Sequence, residues 1–314
     1  MPYALIFPGQ GAAAPGAGAP WVGHPAWSVV TDAEAAVDRP LARLLLEADA
    51  DELATTRSSQ LAVYLHSLVV WSALAPALTE KHGPPVAFAG HSLGQVTALV
   101  ASGALDPASG ARLAARRADL SQESADANPG RMAAVLGGDI DVAQRLCDAV
   151  DDLWVANDNA PGQVVVAGTA AAVDRAVEVG PQVGVRRLKP LAVGHAFHTP
   201  LLADAARGLR PLLDTLPYAQ PSAPVVANTD GLGHTDPACW PDQLTRHLVE
   251  PVRWRACQLA LRAAGAGTFV EVGPGGVLAG LAKRTVPDVT VISVSDPDGL
   301  GRLGALGTPM EVSR

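Results

Sequence analysis

The chain has 314 residues, 48% hydrophobic and 17% charged, a balance that excludes disorder and suits one large unit or a large unit carrying a smaller one. Its net charge of −8 leaves no basic stripe to neutralise phosphates and so excludes nucleic acid as a partner. Three widely spaced cysteines, Cys147, Cys239 and Cys257, form no CxxC pattern and are expected as buried free thiols.

The opening MPYALIFPGQG lacks a basic segment, and its apolar run is too short for a secretion signal. No uncharged run is expected to reach the ~18–20 residues of a membrane span, so no membrane partner and a cytoplasmic location are expected. YALIF (3–7) reads as a buried strand entering a Pro-Gly turn, and GAAAPGAGAP (11–20) as a flexible loop. SSQLAVYLHSLVVWSALAPAL (58–78) predicts a long apolar helix with Ser59 as its cap and Pro76 bending its end. VAFAG (86–90) is a second core strand. LGQVTALVASGAL (93–105) follows as a helix, then DPASGARLAARRADLSQESA (106–125), capped by Asp106 with Pro107 at the first helical position. This alternation predicts a parallel sheet covered by helices on both faces.

The middle of the chain changes rhythm. MAAVLG (132–137) reads as strand, DVAQRLCDAV (141–150) as helix, LWVAN (153–157) and QVVVAG (163–168) as strands, AAAVDRAVEVG (170–180) as helix and VRRLKPL (185–191) as strand. That β-α-β-β-α-β order predicts an inserted ferredoxin-like unit. Strands resume with PVVAN (224–228), TFVEV (268–272) and TVISVS (290–295), and the last residues, GTPMEVSR, read as a loose tail.

AFAGHSLGQV (87–96) places Ser92 between Gly90 and Gly94, after a predicted strand and before a predicted helix. Strand, serine, helix is the context a nucleophile elbow requires. The flanking glycines give room in a tight turn, and the serine oxygen then meets free N–H groups at a helix N-terminus, with the N–H of Leu93 as an oxyanion donor. A serine needs a base to react at neutral pH. His91 is adjacent and would point away from the Ser92 face. His195 and His198, together in VGHAFHTPLL, are equal candidates.

FPGQG (7–11), GHSLG (90–94), RRADLSQES (116–124), NAPGQVVVAG (159–168), AFHTPLL (196–202) and FVEVGPGGVLAGLAKR (269–284) occur in that order and span nearly the whole chain. Together they resemble the malonyl-CoA:acyl-carrier-protein transacylase family, including the acyltransferase domains of polyketide synthases. The resemblance implies an α/β fold: an α/β-hydrolase-like large subdomain with a parallel sheet core (1–128 and 196–314) and a ferredoxin-like small subdomain (129–195). It implies Ser92 as the acylated nucleophile, His198 as the base, the backbone N–H of Gln10 as the second oxyanion donor, and Arg117 as the clamp on a malonyl carboxylate. A guanidinium suits that task because its planar fork gives a carboxylate two parallel bonds. Gln60 and Asn159 match pocket positions, and His91 flanks the acyl site.

Departures from the pattern carry their own expectations. His247 stands where the family often has a glutamine whose carbonyl orients the base, and the usual second glutamine of the first block is missing. Ser121 replaces a methionine that lines the acyl pocket, implying a wider pocket. Phe197 in HAFH pulls the other way, filling the space a 2-methyl group would need, worth only ~1–3 kcal/mol.

The implied activity is malonyl transfer from CoA to the phosphopantetheine thiol of an acyl carrier protein, in polyketide or fatty acid biosynthesis, by a monomer with no metal or other cofactor. The alternatives are transfer of a larger acyl group, thioester hydrolysis as an editing reaction, and a non-catalytic carrier-binding module. Carrier proteins are generally acidic, so a local basic face is expected, at RLAARR (112–117) or VRRLKP (185–190).

Overall fold

A computed structural model describes residues 1–191 and 193–306. The tail GTPMEVSR lies outside the described residues. Among the described residues ten strands occur in chain order: β1 (Tyr3–Phe7), β2 (Ala87–Gly90), β3 (Gly130–Leu136), β4 (Leu153–Ala160), β5 (Gln163–Thr169), β6 (Arg187–Pro190), β7 (Val225–Val226), β8 (Gly233–His234), β9 (Thr268–Val272) and β10 (Thr290–Val294).

Six of them form a sheet in the order β10-β9-β1-β2-β7-β8. Every neighbouring pair is parallel except β7 and β8, an antiparallel edge that the sequence did not signal. Burial on both faces explains the unbroken apolar runs. In β1, Tyr3, Leu5 and Phe7 pack into one core cluster while Ala4 and Ile6 pack into another. Alternate side chains leave opposite faces of a strand, so a doubly covered strand has no polar positions.

The remaining strands form an antiparallel sheet in the order β4-β5-β3-β6. With the helices Ile140–Asp148 and Ala170–Val179 this is the β-α-β-β-α-β unit. Ala133, Val135, Val164 and Val166 face those helices, whereas Met132, Val165 and Ala167 join the main core.

Several local expectations need correction. The long helix runs Thr56–His82 and is capped by Thr55, whose hydroxyl accepts the N–H of Ser58, not by Ser59; Pro76 lies inside it. It is long and apolar enough to cross a bilayer, the only such helix among the described residues, which overturns the expectation that no uncharged run is long enough. Its apolar window is 67% buried within the protein, with Val63, Leu65, Val69 and Val70 fully enclosed, so its hydrophobicity serves the core. The helix after the serine ends at Ala101, where Gly103 turns with φ +78°. Asp106 does cap the next helix, Pro107–Ala127, by accepting the N–H of Ser109 at 2.9 Å. The 11–20 loop is anchored by Gly18, whose N–H donates to the Leu45 carbonyl at 3.0 Å. All three cysteines are free thiols, but only Cys257 is buried; Cys147 and Cys239 are partly exposed.

Candidate active site

The parallel strands end on one side of the sheet, where connecting turns converge. Gln10 follows β1, Ser92 follows β2 and Val277 follows β9. Ser92 sits in a left-handed turn at φ 52°. The chain folds back so tightly that a Cβ on Gly90 would lie 1.8 Å from the Gly94 carbonyl oxygen, and one on Gly94 would lie 2.2 Å from that of Phe7. Only glycine fits either position.

His198 also has positive φ, 60°, and the two strained residues meet. Ser92 Oγ donates to His198 Nε2 at 2.7 Å, and His198 Nδ1 donates to the main-chain carbonyl of His247 at 2.8 Å. Non-glycine residues in this region cost of order 1–3 kcal/mol each and persist only where the surroundings hold them. The His247 ring stacks on that of His198, centroids 5.1 Å apart. Burial first, then the nearby Arg117 guanidinium, pushes His198 down to about 3, so the ring is neutral at pH 7 with its Nε2 lone pair facing the serine.

His195 plays no part in this contact. It is fully buried, its Nδ1 bonded to the Asn128 carbonyl at 3.0 Å and its Nε2 3.4 Å from Ser124 Oγ, and it meets Phe197 edge-on. Of the two candidate histidines, only His198 reaches Ser92.

Arg117 is 6% exposed. It donates through Nη1 to Gln60 Oε1 and through Nη2 to Ser92 Oγ at 3.1 Å, while Gln60 Nε2 donates to Gln10 Oε1 at 3.3 Å. Among the described residues no carboxylate pairs with it. Burial lowers its pKa to about 10, which leaves it charged at neutral pH. An enclosed cation without a counter-ion is costly unless a ligand supplies one.

Gln10, Gln60, His91, Ser92, Arg117, Asn159, Phe197 and His198 line one cavity of about 350 Å³. His91 bonds through Nε2 to Asn159 Oδ1 at 2.8 Å and not to Ser92. The N–H groups of Gln10 and Leu93 have no protein acceptor among the described residues. Ser121 departs from its expected place. It is buried, its hydroxyl is unpartnered and it is absent from the cavity wall, where the methionine is Met132 from β3. One helical turn beyond Arg117, its short side chain stops short of the cavity. A second cleft of about 460 Å³ also reaches His198, but its thiol, Cys147, is pushed up to about 12 by burial and stays protonated.

Two residues went unread in the sequence. Asn228 accepts the Ser92 N–H at 2.8 Å through Oδ1 and donates through Nδ2 to the Gly90 carbonyl at 2.8 Å, pinning the turn. Its only signal is a polar residue closing PVVAN. Glu271, fully buried, accepts the N–H groups of Leu278 and Ala279 and the Ser293 hydroxyl, fixing the helix that starts at the cavity wall. Burial raises its pKa.

Comparison with known proteins gives a consistent result. A family model described as acyl transferase domain matches residues 4–301. The chain is similar to the malonyl CoA-acyl carrier protein transacylase of Bacillus subtilis, 35% identical over 94% of each protein. Among solved structures it is similar to malonyl-CoA:acyl carrier protein transacylase from Xanthomonas oryzae, with TM-score 0.90 and 35% identity over 97% of this chain and 99% of that one. It is also similar to a malonyl-transacylase solved in complex with a type II PKS acyl-carrier protein, with TM-score 0.88 and 33% identity over 96% and 98%.

Proposed function

The chain belongs to the acyl transferase domain family, and we propose that it moves a malonyl unit from CoA to the phosphopantetheine thiol of an acyl carrier protein through an ester on Ser92. The observation that carries this reading is Arg117, an enclosed guanidinium with no carboxylate partner among the described residues, bonded to the serine oxygen. A substrate with its own carboxylate completes that site. A general thioester hydrolase has no use for the charge.

The steps follow from the hydrogen bonds. His198 takes the Ser92 proton as Oγ attacks the thioester carbonyl, and its Nδ1–H stays bonded to the His247 carbonyl, a fixed dipole that favours the imidazolium. The free N–H groups of Gln10 and Leu93 receive the oxyanion. The tetrahedral intermediate collapses to the serine ester, and the CoA thiolate leaves with the proton from His198. The carrier thiol then attacks that ester, giving its proton to His198, which returns it to Ser92 Oγ. Arg117 holds the malonyl carboxylate throughout, orienting the ester against water.

The test is incubation with isotopically labelled malonyl-CoA followed by peptide mass spectrometry. A malonyl ester on Ser92, lost in Ser92→Ala and discharged by holo carrier protein, is the expected result. Label on any other residue defeats the assignment.

A further inference from the structure

Two supports flank the Ser92–His198 contact, and they come from different parts of the chain. Asn228 pins the serine turn through the Ser92 N–H and the Gly90 carbonyl, both at 2.8 Å. The His247 carbonyl, in the helix Trp240–Val249, orients the imidazole at 2.8 Å. A helical carbonyl ordinarily accepts the N–H four residues on. For His247 that residue is Pro251, which has no N–H, so the carbonyl is free for His198. Peptide dipoles lie along the helix axis, so where the helix sits decides where this acceptor sits.

One side chain joins the two supports. Gln243 stands one turn before His247 on the same face of the helix, and both line a buried crevice of about 150 Å³ with Asn228 and Thr229. Its Oε1 accepts the hydroxyl of Thr229, the residue after Asn228. Its Nε2 donates to Asp230 Oδ2 at 2.9 Å. The turn it grips is itself fixed. Asp230 Oδ1 accepts the Leu232 N–H at 2.9 Å, and the Asn228 N–H donates to Gln95 Oε1, on the helix after Ser92, at 3.1 Å.

Thr229 and Gln243 are both buried, so water does not compete for these bonds. Among the described residues, the other side-chain bond from this helix to a different segment is the exposed pair Arg210–Asp242.

We propose that Gln243 is a positioning residue for acyl transfer. It ties the base-orienting helix to the serine-pinning turn and so holds Ser92 Oγ and His198 Nε2 within hydrogen-bonding distance. The inference rests on the Ser92–His198 reading above. Gln243 does not line the active-site cavity, so its loss alters the geometry of the dyad and leaves the malonyl-CoA contacts in place. Trp240, Leu244 and Leu248 keep the helix packed in the main core, so the displacement is partial. A misplacement of about 1 Å at reacting atoms can cost about a hundredfold, and a partial one about tenfold.

The pair permits a test by exchange. Gln243→Glu alone sets two carboxylates face to face. Gln243→Glu with Asp230→Asn again gives one amide donating and one carboxylate accepting, with the Thr229 hydroxyl still received and the charge unchanged. His234 Nε2 lies 3.0 Å from Asp230 Oδ2 and 3.5 Å from Gln243 Nε2, so it faces a carboxylate in either arrangement.

The experiment measures malonyl-enzyme formation in single turnovers, giving a rate constant and an apparent Kd for malonyl-CoA. Labelling of Ser92 by a sulfonyl fluoride reports the dyad without malonyl recognition. Gln243→Met and Gln243→Glu are expected to lower both rate constants about tenfold or more, with the apparent Kd changed less than about twofold. Thr229→Val, which deletes one hydroxyl, should cost about threefold and keeps the test open where a Gln243 variant does not fold. The exchanged pair should return to within about threefold of wild type, and Asp242→Ala, which breaks only the exposed tether, should change nothing beyond about twofold.

Unchanged rate constants in Gln243→Met, or in Thr229→Val, would overturn the proposal. So would an exchanged pair as slow as Gln243→Glu, or a loss that appears in the apparent Kd and not in the rate. A wild-type enzyme labelled at Ser92 by the sulfonyl fluoride but forming no malonyl ester defeats the transfer reading instead, and the labelling comparison still decides Gln243.

Discussion

At the scale of single residues, the site is a chain of hydrogen bonds in which each group fixes the next. Gln10 holds Gln60, Gln60 holds Arg117, Arg117 touches Ser92, and Ser92 meets His198. Arg117 is the member whose own electrostatics are incomplete. Replacing it by alanine is expected to lower kcat/KM for malonyl-CoA about a hundredfold or more, or roughly 3 kcal/mol, the scale of losing one partner of an enclosed charge pair. Arg117→Lys should not restore the rate, because a single ammonium lacks the two-pronged geometry. Initial rates across a malonyl-CoA titration decide it, and near-wild-type turnover in the lysine variant would contradict the clamp.

At the scale of elements, the serine is presented by three segments at once. β2 delivers it, the helix from Gly94 receives it, and Asn228, two residues beyond β7, ties the turn from the side. In Asn228→Ala the Ser92 N–H and the Gly90 carbonyl lose these bonds inside the protein. An unpaired buried polar group costs about 1–3 kcal/mol, so the variant should lose about 2–4 kcal/mol of stability in urea unfolding and lose turnover as the turn relaxes. A change below about 0.5 kcal/mol would mean that the glycine geometry alone holds the turn. The Arg117 helix is fixed in a similar way, because Asp119 on the same helix receives Arg39 and Arg57 from two other segments.

At the scale of the whole molecule, four histidines (His66, His195, His198 and His247) are buried in the folded protein and His91 is half-buried, and all five have pKa values held below 6.5, in each case chiefly by desolvation. The sign follows from proton counting. Below about pH 6.5 the unfolded chain binds protons that the folded chain refuses, so stability is full above that value and is lost on acidification. For His198, held at about 3, the loss between pH 6.5 and 5 is about 2 kcal/mol, and the other four act in the same direction. Urea unfolding at about pH 7.5, 6 and 5 should show falling stability; a flat profile would mean that these rings are protonated in the folded state.

The sequence by itself determined the strand-serine-helix turn, the doubly covered β1 and β2, the β-α-β-β-α-β unit and the Asp106 cap, because each is a local pattern of period, glycine placement or capping. It also brought forward both His195 and His198 and could not separate them, since three residues of spacing do not tell which ring crosses to a serine more than a hundred positions earlier. That choice belongs to the tertiary structure, which buries one ring against Asn128 and points the other at Ser92. The same holds for Asn228 and for the absence of Ser121 from the cavity wall. Each depends on long-range contacts, and no local pattern encodes the neighbour that a fold brings from elsewhere in the chain.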